Sequence, residues 1–445
     1  MMRITASMLH CFLLNNIKNK KSAIFAALYN TMRMNPTDRS HYLLHTLPNG
    51  LRVVHFPTDA AISYCGVAVH AGTRDEASNE SGLAHFVEHM LFKGTVRRKA
   101  WHILNRMEAV GGELNAYTTK EETFIYSVFM EEHYRRAIEL LADIVIRSQF
   151  PAHEIEKERE VILDEISSYE DMPSELIFDE YENLLFDGHP LGRHILGNKR
   201  SIRTFDTKAG RSFLERFYTA ENMIFFSMGR TDFRRIVRMA EVYWSDLPVH
   251  PAVHRRERPR PTVPRELRKK KKTHQSHAII GGRAYDMYDK RRTSLFLLNN
   301  ILGGSGMNSR LNVALREKRG LVYEVESNLT GYTDTGVCAI YFGADPKNRE
   351  KVLELIRREL NVLCRTQLTT TQLAAARKQA IGQLAVAGDN RESLFLGFGK
   401  SFLHSGRYDS LREVICRIEA VTASQILEAA NEIFAPERLY SLIYE

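Results

Sequence analysis

Three side chains capable of metal binding and acid–base chemistry fall within five residues, in the run Ser81-Gly-Leu-Ala-His85-Phe-Val-Glu88-His89-Met-Leu-Phe92. At about 3.6 residues per turn, His85 and His89 stack on one helical face and Glu88 lies on the adjoining flank. Leu83, Ala84, Phe86, Val87, Met90 and Leu91 cover the remaining surface, so the polar group is carried into an apolar interior. Burying three ionisable groups is costly unless something pairs with them, and a divalent cation is the simplest partner.

Two imidazoles one turn apart suit Zn2+, which takes nitrogen ligands at about 2.0–2.1 Å in a tetrahedral site. A catalytic zinc keeps a position open for water, so a third protein ligand must come from elsewhere in the chain. Glu88, one residue before the second histidine, is placed to take a proton from that water. The order H-x-x-E-H is the inverted form of the zinc-protease signature. A buried helix carrying a hydrogen-bonded histidine pair is the competing reading, and the third ligand decides between the two.

The elements around this helix read clearly. Tyr42 to Leu47, the turn Pro48-Asn-Gly50 and Leu51 to Phe56 form a hairpin pattern, and Ala61 to Ala71 is a third strand. Trp101 to Val110 is helical up to Gly111-Gly112, and Glu113 to Met130 alternates as two strands. Glu131 to Arg147, Ala152 to Tyr169 and Pro173 to Leu185 are helical by period. A strand over Met223 to Met228 and a helix over Thr231 to Leu247 close the first lobe, residues 41–250.

A chain of 445 residues exceeds one core. Hydrophobic content of 44% and charged content of 26% are those of a globular protein. Cys11, Cys65, Cys338, Cys364 and Cys416 are odd in number and widely spaced, which indicates a reducing compartment and no cysteine metal site. The net charge of +8 is concentrated between Arg255 and Lys272, where ten basic and two acidic residues lie among four prolines from Pro251 onward. Residues 251–272 therefore read as a solvated linker that joins two lobes without folding. Residues 1–40 hold an apolar run too short to span a membrane, followed by lysines, and are expected to be a disordered extension.

The second lobe, residues 273–445, repeats the order of the first: a strand from Ala278, a helix over Leu295 to Ile301, two strands over Tyr323 to Phe342 and a helix over Lys347 to Leu363. Laid on this repeat, His85, Glu88 and His89 correspond to Phe296, Asn299 and Asn300, and Glu165 to Gln383. The fold class is thus α/β (α+β), two similar lobes, each a mostly antiparallel sheet packed by helices, of which only one keeps ionisable ligands. In the helix from Ala152 to Tyr169, Glu158 and Glu165 are two turns apart and share a face.

Gly72-Thr-Arg-Asp-Glu76, the His85 to Phe92 block with Lys93-Gly-Thr95, Gly111-Gly112 with Asn115-Ala116, Glu158 with Glu165, His189-Pro-Leu-Gly-Arg193 and Gly306-Met-Asn-Ser-Arg310 occur in one order. In these the chain resembles the pitrilysin-type (M16) zinc metallopeptidases, in the branch of the mitochondrial processing peptidase and its bacterial relatives, over residues 41–440. The resemblance implies that Glu165 is the third zinc ligand, with one Zn2+ per chain, and that Glu158 supports the site from behind. It implies that Arg316 and Tyr323, in Leu315-Arg-Glu-Lys-Arg-Gly-Leu-Val-Tyr323, reach the substrate near the metal. It also implies that the strand carrying Asn115 and Ala116 receives an extended peptide by main-chain hydrogen bonds.

The expected activity is zinc-dependent endopeptidase cleavage of unfolded peptides. The expected assembly is a homodimer, or a heterodimer with a related chain, because four lobes enclose a peptide and two do not. A non-catalytic subunit of the same fold is disfavoured by the presence of Glu88 and all three ligands. Nucleic-acid binding rests on the basic segments alone, without a recognition fold. No nucleic-acid or membrane partner is expected, and a bacterial cytoplasmic location is preferred over the mitochondrial matrix.

Overall fold

The computed structural model describes residues 42–271 and 273–445. The expectation for residues 1–40 lies outside them. The first lobe comprises strands β1 (Leu43–Thr46), β2 (Arg52–Pro57) and β3 (Ile62–Val69), helices α1 (Leu83–Leu91) and α2 (Ala100–Glu108), strands β4 (Glu113–Thr118) and β5 (Thr123–Met130), helices α3 (Tyr134–Arg147), α4 (Ala152–Glu170), α5 (Pro173–Leu185), α6 (Lys199–Ile202) and α7 (Thr207–Phe217), strand β6 (Met223–Gly229) and helix α8 (Phe233–Tyr243). The second comprises β7 (Glu266–Lys269), β8 (Ser276–Ala284), α9 (Arg292–Gly303), β9 (Val322–Gly331), β10 (Gly336–Ala344), helices α10 (Arg349–Arg365), α11 (Thr370–Ala387), α12 (Arg391–Ser405), α13 (Leu411–Ala420) and α14 (Ala423–Phe434), and β11 (Tyr440–Tyr444).

The strand orders are β1-β2-β6-β3-β5-β4 and β7-β11-β8-β10-β9. Set β1 aside and the two sheets have one topology, with β2 and β7 each parallel to the last strand of its lobe and every other pairing antiparallel. The internal repeat is therefore a repeat of connectivity.

This topology corrects the expected unfolded linker. Glu266–Lys269 lies within it, yet pairs with β11 through Ser441↔Glu266 to Tyr444↔Lys269. It is the counterpart of β2, and its four residues carry only one apolar side chain, Leu267, so a strand there is decided by a partner far along the chain. The basic residues are also not simply solvated. Arg256 meets Asp75 at 2.7 Å, Lys269 meets Glu180 at 2.9 Å and Arg268 meets Glu350 at 2.8 Å, so acids of both lobes neutralise them.

A division at the linker also fails to follow the packing. Helix α5 lays Ile177, Tyr181, Leu184 and Leu185 on the second sheet, against Ile279, Tyr341, Leu442 and Tyr444. Helix α12 lays Phe395, Phe398, Phe402 and Leu403 on the first sheet, against Val54, Tyr64, Phe124 and Phe226. Each lobe thus covers the outer face of the other's sheet with a helix, and burial of these aromatic and aliphatic groups ties the lobes together.

Helix α1 owes its place to the motif ahead of it. Gly82 at its N-cap has φ +92°, and a Cβ there would meet the Gly197 Cα and the Leu196 oxygen at 2.8 Å, so only glycine fits. Gly82 has no side chain to cap the helix, and the buried Glu76 carboxylate does so instead, accepting from the Gly82 and Ala84 amides at 2.9 and 2.8 Å. Arg193 holds that turn by donating to the Glu76 and Ala77 carbonyls. Glu76→Ala is expected to destabilise the chain by about 1–3 kcal/mol, since both buried amides would lose their acceptor. Urea denaturation followed by circular dichroism measures this.

Candidate metal centre

Helix α1 buries Leu83, Ala84, Phe86, Val87, Met90 and Leu91 completely, which turns His85, Glu88 and His89 toward helix α4 and strand β4. Helix α4 presents Ile155, Glu158, Ile162 and Ile166 to the core, so Glu158 interrupts an apolar stripe. Glu165 lies on the same side, two turns on, and is half-buried. An acid at a core-facing position of a surface helix is the local signal that it has a partner.

Those partners are the histidines. Glu165 Oε2 lies 3.8 Å from His85 Nε2 and 3.6 Å from His89 Nε2. Ligand atoms of all three residues lie within 4.8 Å of one another. Tetrahedral ligands at about 2.0–2.1 Å from an ion stand about 3.4 Å apart, so these separations suit zinc after small adjustments. Behind them, Glu158 Oε1 lies 2.8 Å from His89 Nδ1, which leaves the His89 Nε2 lone pair for a metal.

The electrostatics favour a cation. Burial, reinforced by the charge of His89, holds His85 well below the usual histidine range, so its ring is neutral and able to ligate. Burial pulls His89 the same way, but its bond to Glu158 and the charges of Glu88 and Glu165 prevail and raise it. Burial raises the Glu88 carboxyl against the opposing influence of His89 and the Thr118 hydroxyl, and burial also raises Glu165. Glu88 Oε2 and His85 Nδ1 are buried without a hydrogen-bond partner. Three carboxylates around two imidazoles, one oxygen unsatisfied, fit a dication and a polar ligand beside it.

Glu158→Gln replaces the charged acceptor that fixes the His89 ring with a neutral amide. It is expected to weaken zinc binding about 10- to 100-fold, read by competition with a chromophoric chelator.

The remaining expected residues lie on strand β4 and in the second lobe. Asn115 and Ala116 are on β4, which among the described residues pairs only with β5 and forms the edge of the first sheet. Arg316 is exposed on the helical turn Asn312–Glu317. Tyr323 is 63% exposed on β9, the corresponding edge of the second sheet. It is the extra residue of a bulge, since Glu324 faces Gly343 and Val322 faces Ala344, and this turns its ring out of the ladder. Among the described residues no hydrogen bond or ion pair joins Arg316 or Tyr323 to the first-lobe cluster.

Sequence reasoning gave no role to Lys93, whose Nζ stands 2.5 Å from Glu158 Oε2. It also missed a buried network between the lobes. Arg74 bonds Glu121 at 2.6 Å and reaches across to Asp334 at 2.5 Å, while Asp75 takes Arg256 and His254. Arg74, Asp75 and Glu76 thus respectively tie the second lobe, the linker and helix α1 to a single turn.

Residues 52–199 match the model of insulinase (peptidase family M16), and residues 205–380 match that of the peptidase M16 inactive domain. An uncharacterized zinc protease of Bacillus subtilis, YmxG, is 31% identical over 401 residues, 90% of this chain and 97% of that protein. The chain belongs to the M16 peptidase family. An uncharacterized zinc protease of Streptomyces coelicolor is 32% identical over 413 residues, 89% of this chain and 88% of that protein. The crystal structure of a protease from Helicobacter pylori superposes with a TM-score of 0.83 at 20% identity, covering 92% of this chain and 100% of that one, and shares the two-lobed fold. The metal-type cluster lies within the insulinase match, and Arg316 and Tyr323 lie within the inactive-domain match. Among the described residues no helix is long and apolar enough to cross a membrane.

Proposed function

We propose that this M16 chain is a zinc-dependent metalloendopeptidase that cleaves extended, unfolded peptides. The observation that carries the reading is the convergence of His85, His89 and Glu165 beside the buried Glu88 carboxylate. His85, His89 and Glu165 would hold one zinc per chain. When bound, the ion would polarise the scissile carbonyl and make a water acidic enough to attack near neutral pH.

The chain's own residues do the rest. Glu88 takes the proton of the attacking water and returns it to the departing amine. Glu158 keeps the His89 ring oriented. The free edge of β4 at Asn115 and Ala116 pairs with the peptide main chain, which reads backbone more than side chain and gives broad specificity. From the second lobe, Tyr323 donates to the developing oxyanion and Arg316 binds the substrate beside it. The exposure of both and the bulge at Tyr323 support that assignment. Two chains, identical or related, would close four lobes around the substrate. The relatives named above are bacterial, which supports a bacterial setting, and the cytoplasm is proposed on the cysteine usage alone.

The test is cleavage of an unstructured peptide by the purified chain, mapped by mass spectrometry. Internal cleavage that stops with a zinc chelator and returns with zinc is the expected result. Cleavage indifferent to the chelator, or none with zinc bound, would overturn the reading.

A further inference from the structure

Lys93 lies four residues beyond His89, which lies four beyond His85, so two imidazoles and an ammonium group follow one line along α1 and past its end. The Lys93 amide bonds back to the Met90 carbonyl at 3.1 Å, which keeps the residue in step with that face. Its Nζ stands 2.5 Å from one oxygen of Glu158, whose other oxygen stands 2.8 Å from His89 Nδ1. Among the described residues it is the only lysine or arginine paired with the group formed by Glu88, Glu158 and Glu165.

We propose that Lys93 is a positioning residue of the metal centre: it anchors Glu158, and Glu158 fixes the ring through which His89 would meet the ion. The inference rests on the zinc reading above.

Two effects of Lys93 oppose each other, and the sign of the outcome separates them. A positive charge near a dication repels it, so loss of the charge alone would tighten zinc binding. Loss of the anchor leaves the Glu158 carboxylate almost buried, engaged on one side only and next to the Glu165 carboxylate, a situation relieved by turning away from His89. The Lys93 side chain is 25% exposed and the Glu158 side chain 8%, so solvent screens the charge effect more than it can satisfy the freed carboxylate. Anchoring therefore prevails.

The experiment is zinc affinity of the full chain, by competition with a chromophoric chelator, for wild type, Lys93→Met, Lys93→Arg, Glu158→Gln and the Lys93→Met/Glu158→Gln double variant. Lys93→Met is expected to weaken binding about 10- to 100-fold, and Lys93→Arg, which keeps charge and donors, to restore most of that. Because Lys93 acts through Glu158, the double variant is expected to bind within about twofold of Glu158→Gln alone. Unchanged or tighter binding by Lys93→Met, or losses that multiply in the double variant, would overturn the proposal while leaving the metal reading intact. A wild-type chain that takes up no zinc would overturn both.

Discussion

Glu88→Gln is expected to lower peptide hydrolysis about 100- to 10,000-fold while zinc binding is retained, because it removes a positioned proton acceptor and no ligand. The amide has nearly the shape of the carboxylate, and the Leu83, Phe86 and Val87 packing that sets α1 is untouched. The loss should fall on kcat, with KM little changed, since Glu88 acts in the transition state and contributes little to holding the peptide. Steady-state kinetics at saturating zinc, with metal content measured on the same preparation, separate this from ligand loss. An equal fall in zinc content would show that Glu88 supports the ion instead of the chemistry.

Arg74→Ala is expected to destabilise the chain by about 3–5 kcal/mol, the cost of leaving a buried ion pair without one partner. The Arg74 and Glu121 side chains are 1% and 2% exposed, and Glu121 also accepts from the Thr333 amide and hydroxyl. Without the guanidinium, Glu121 and Asp334 face each other across the lobe boundary. Arg265→Ala is the control: its pair with Asp187 is 55% exposed on both sides, where solvent leaves at most about 1 kcal/mol. Urea denaturation of both variants, followed by tryptophan fluorescence, makes the comparison. The neighbouring Asp75 adds a pH signature. Burial alone would raise its carboxyl, but His254 and Arg256 prevail and hold it down at about 2. A depressed acid contributes stability present in full above its unfolded pKa, about 3.9, and lost as pH falls toward the folded value.

The legible part of the fold was the part encoded locally. Helix α1 follows from its apolar residues, β3 from its apolar, Val-containing run, and β4 and β5 from the alternation between Glu113 and Met130. The short helix α6 and helix α7 are not among the expected elements. What escaped was fixed by distant partners. Nothing in Glu-Leu-Arg-Lys marks β7 as a strand until β11 lies beside it. The apolar faces of α5 and α12 are visible in sequence, but not that each buries against the other lobe's sheet. The charges of Arg256, Lys269 and Arg268 read as solvated because Asp75, Glu180 and Glu350, which neutralise them, come from three separate elements.

The site divides the same way. His85, Glu88 and His89 were apparent from spacing along one helix, whereas Glu165, 76 positions beyond His89, needed the family resemblance to single it out among the acids of α4. The core-facing position of Glu158 and its contact with Lys93 are properties of packing between α1 and α4.

Diffraction from crystals of the zinc-loaded chain, recorded on both sides of the zinc absorption edge, locates the ion. One anomalous peak per chain is expected, about 2.0–2.2 Å from His85 Nε2, His89 Nε2 and a Glu165 carboxylate oxygen. A peak bound elsewhere, or the three side chains ordered around no peak at all, would contradict the three-ligand site.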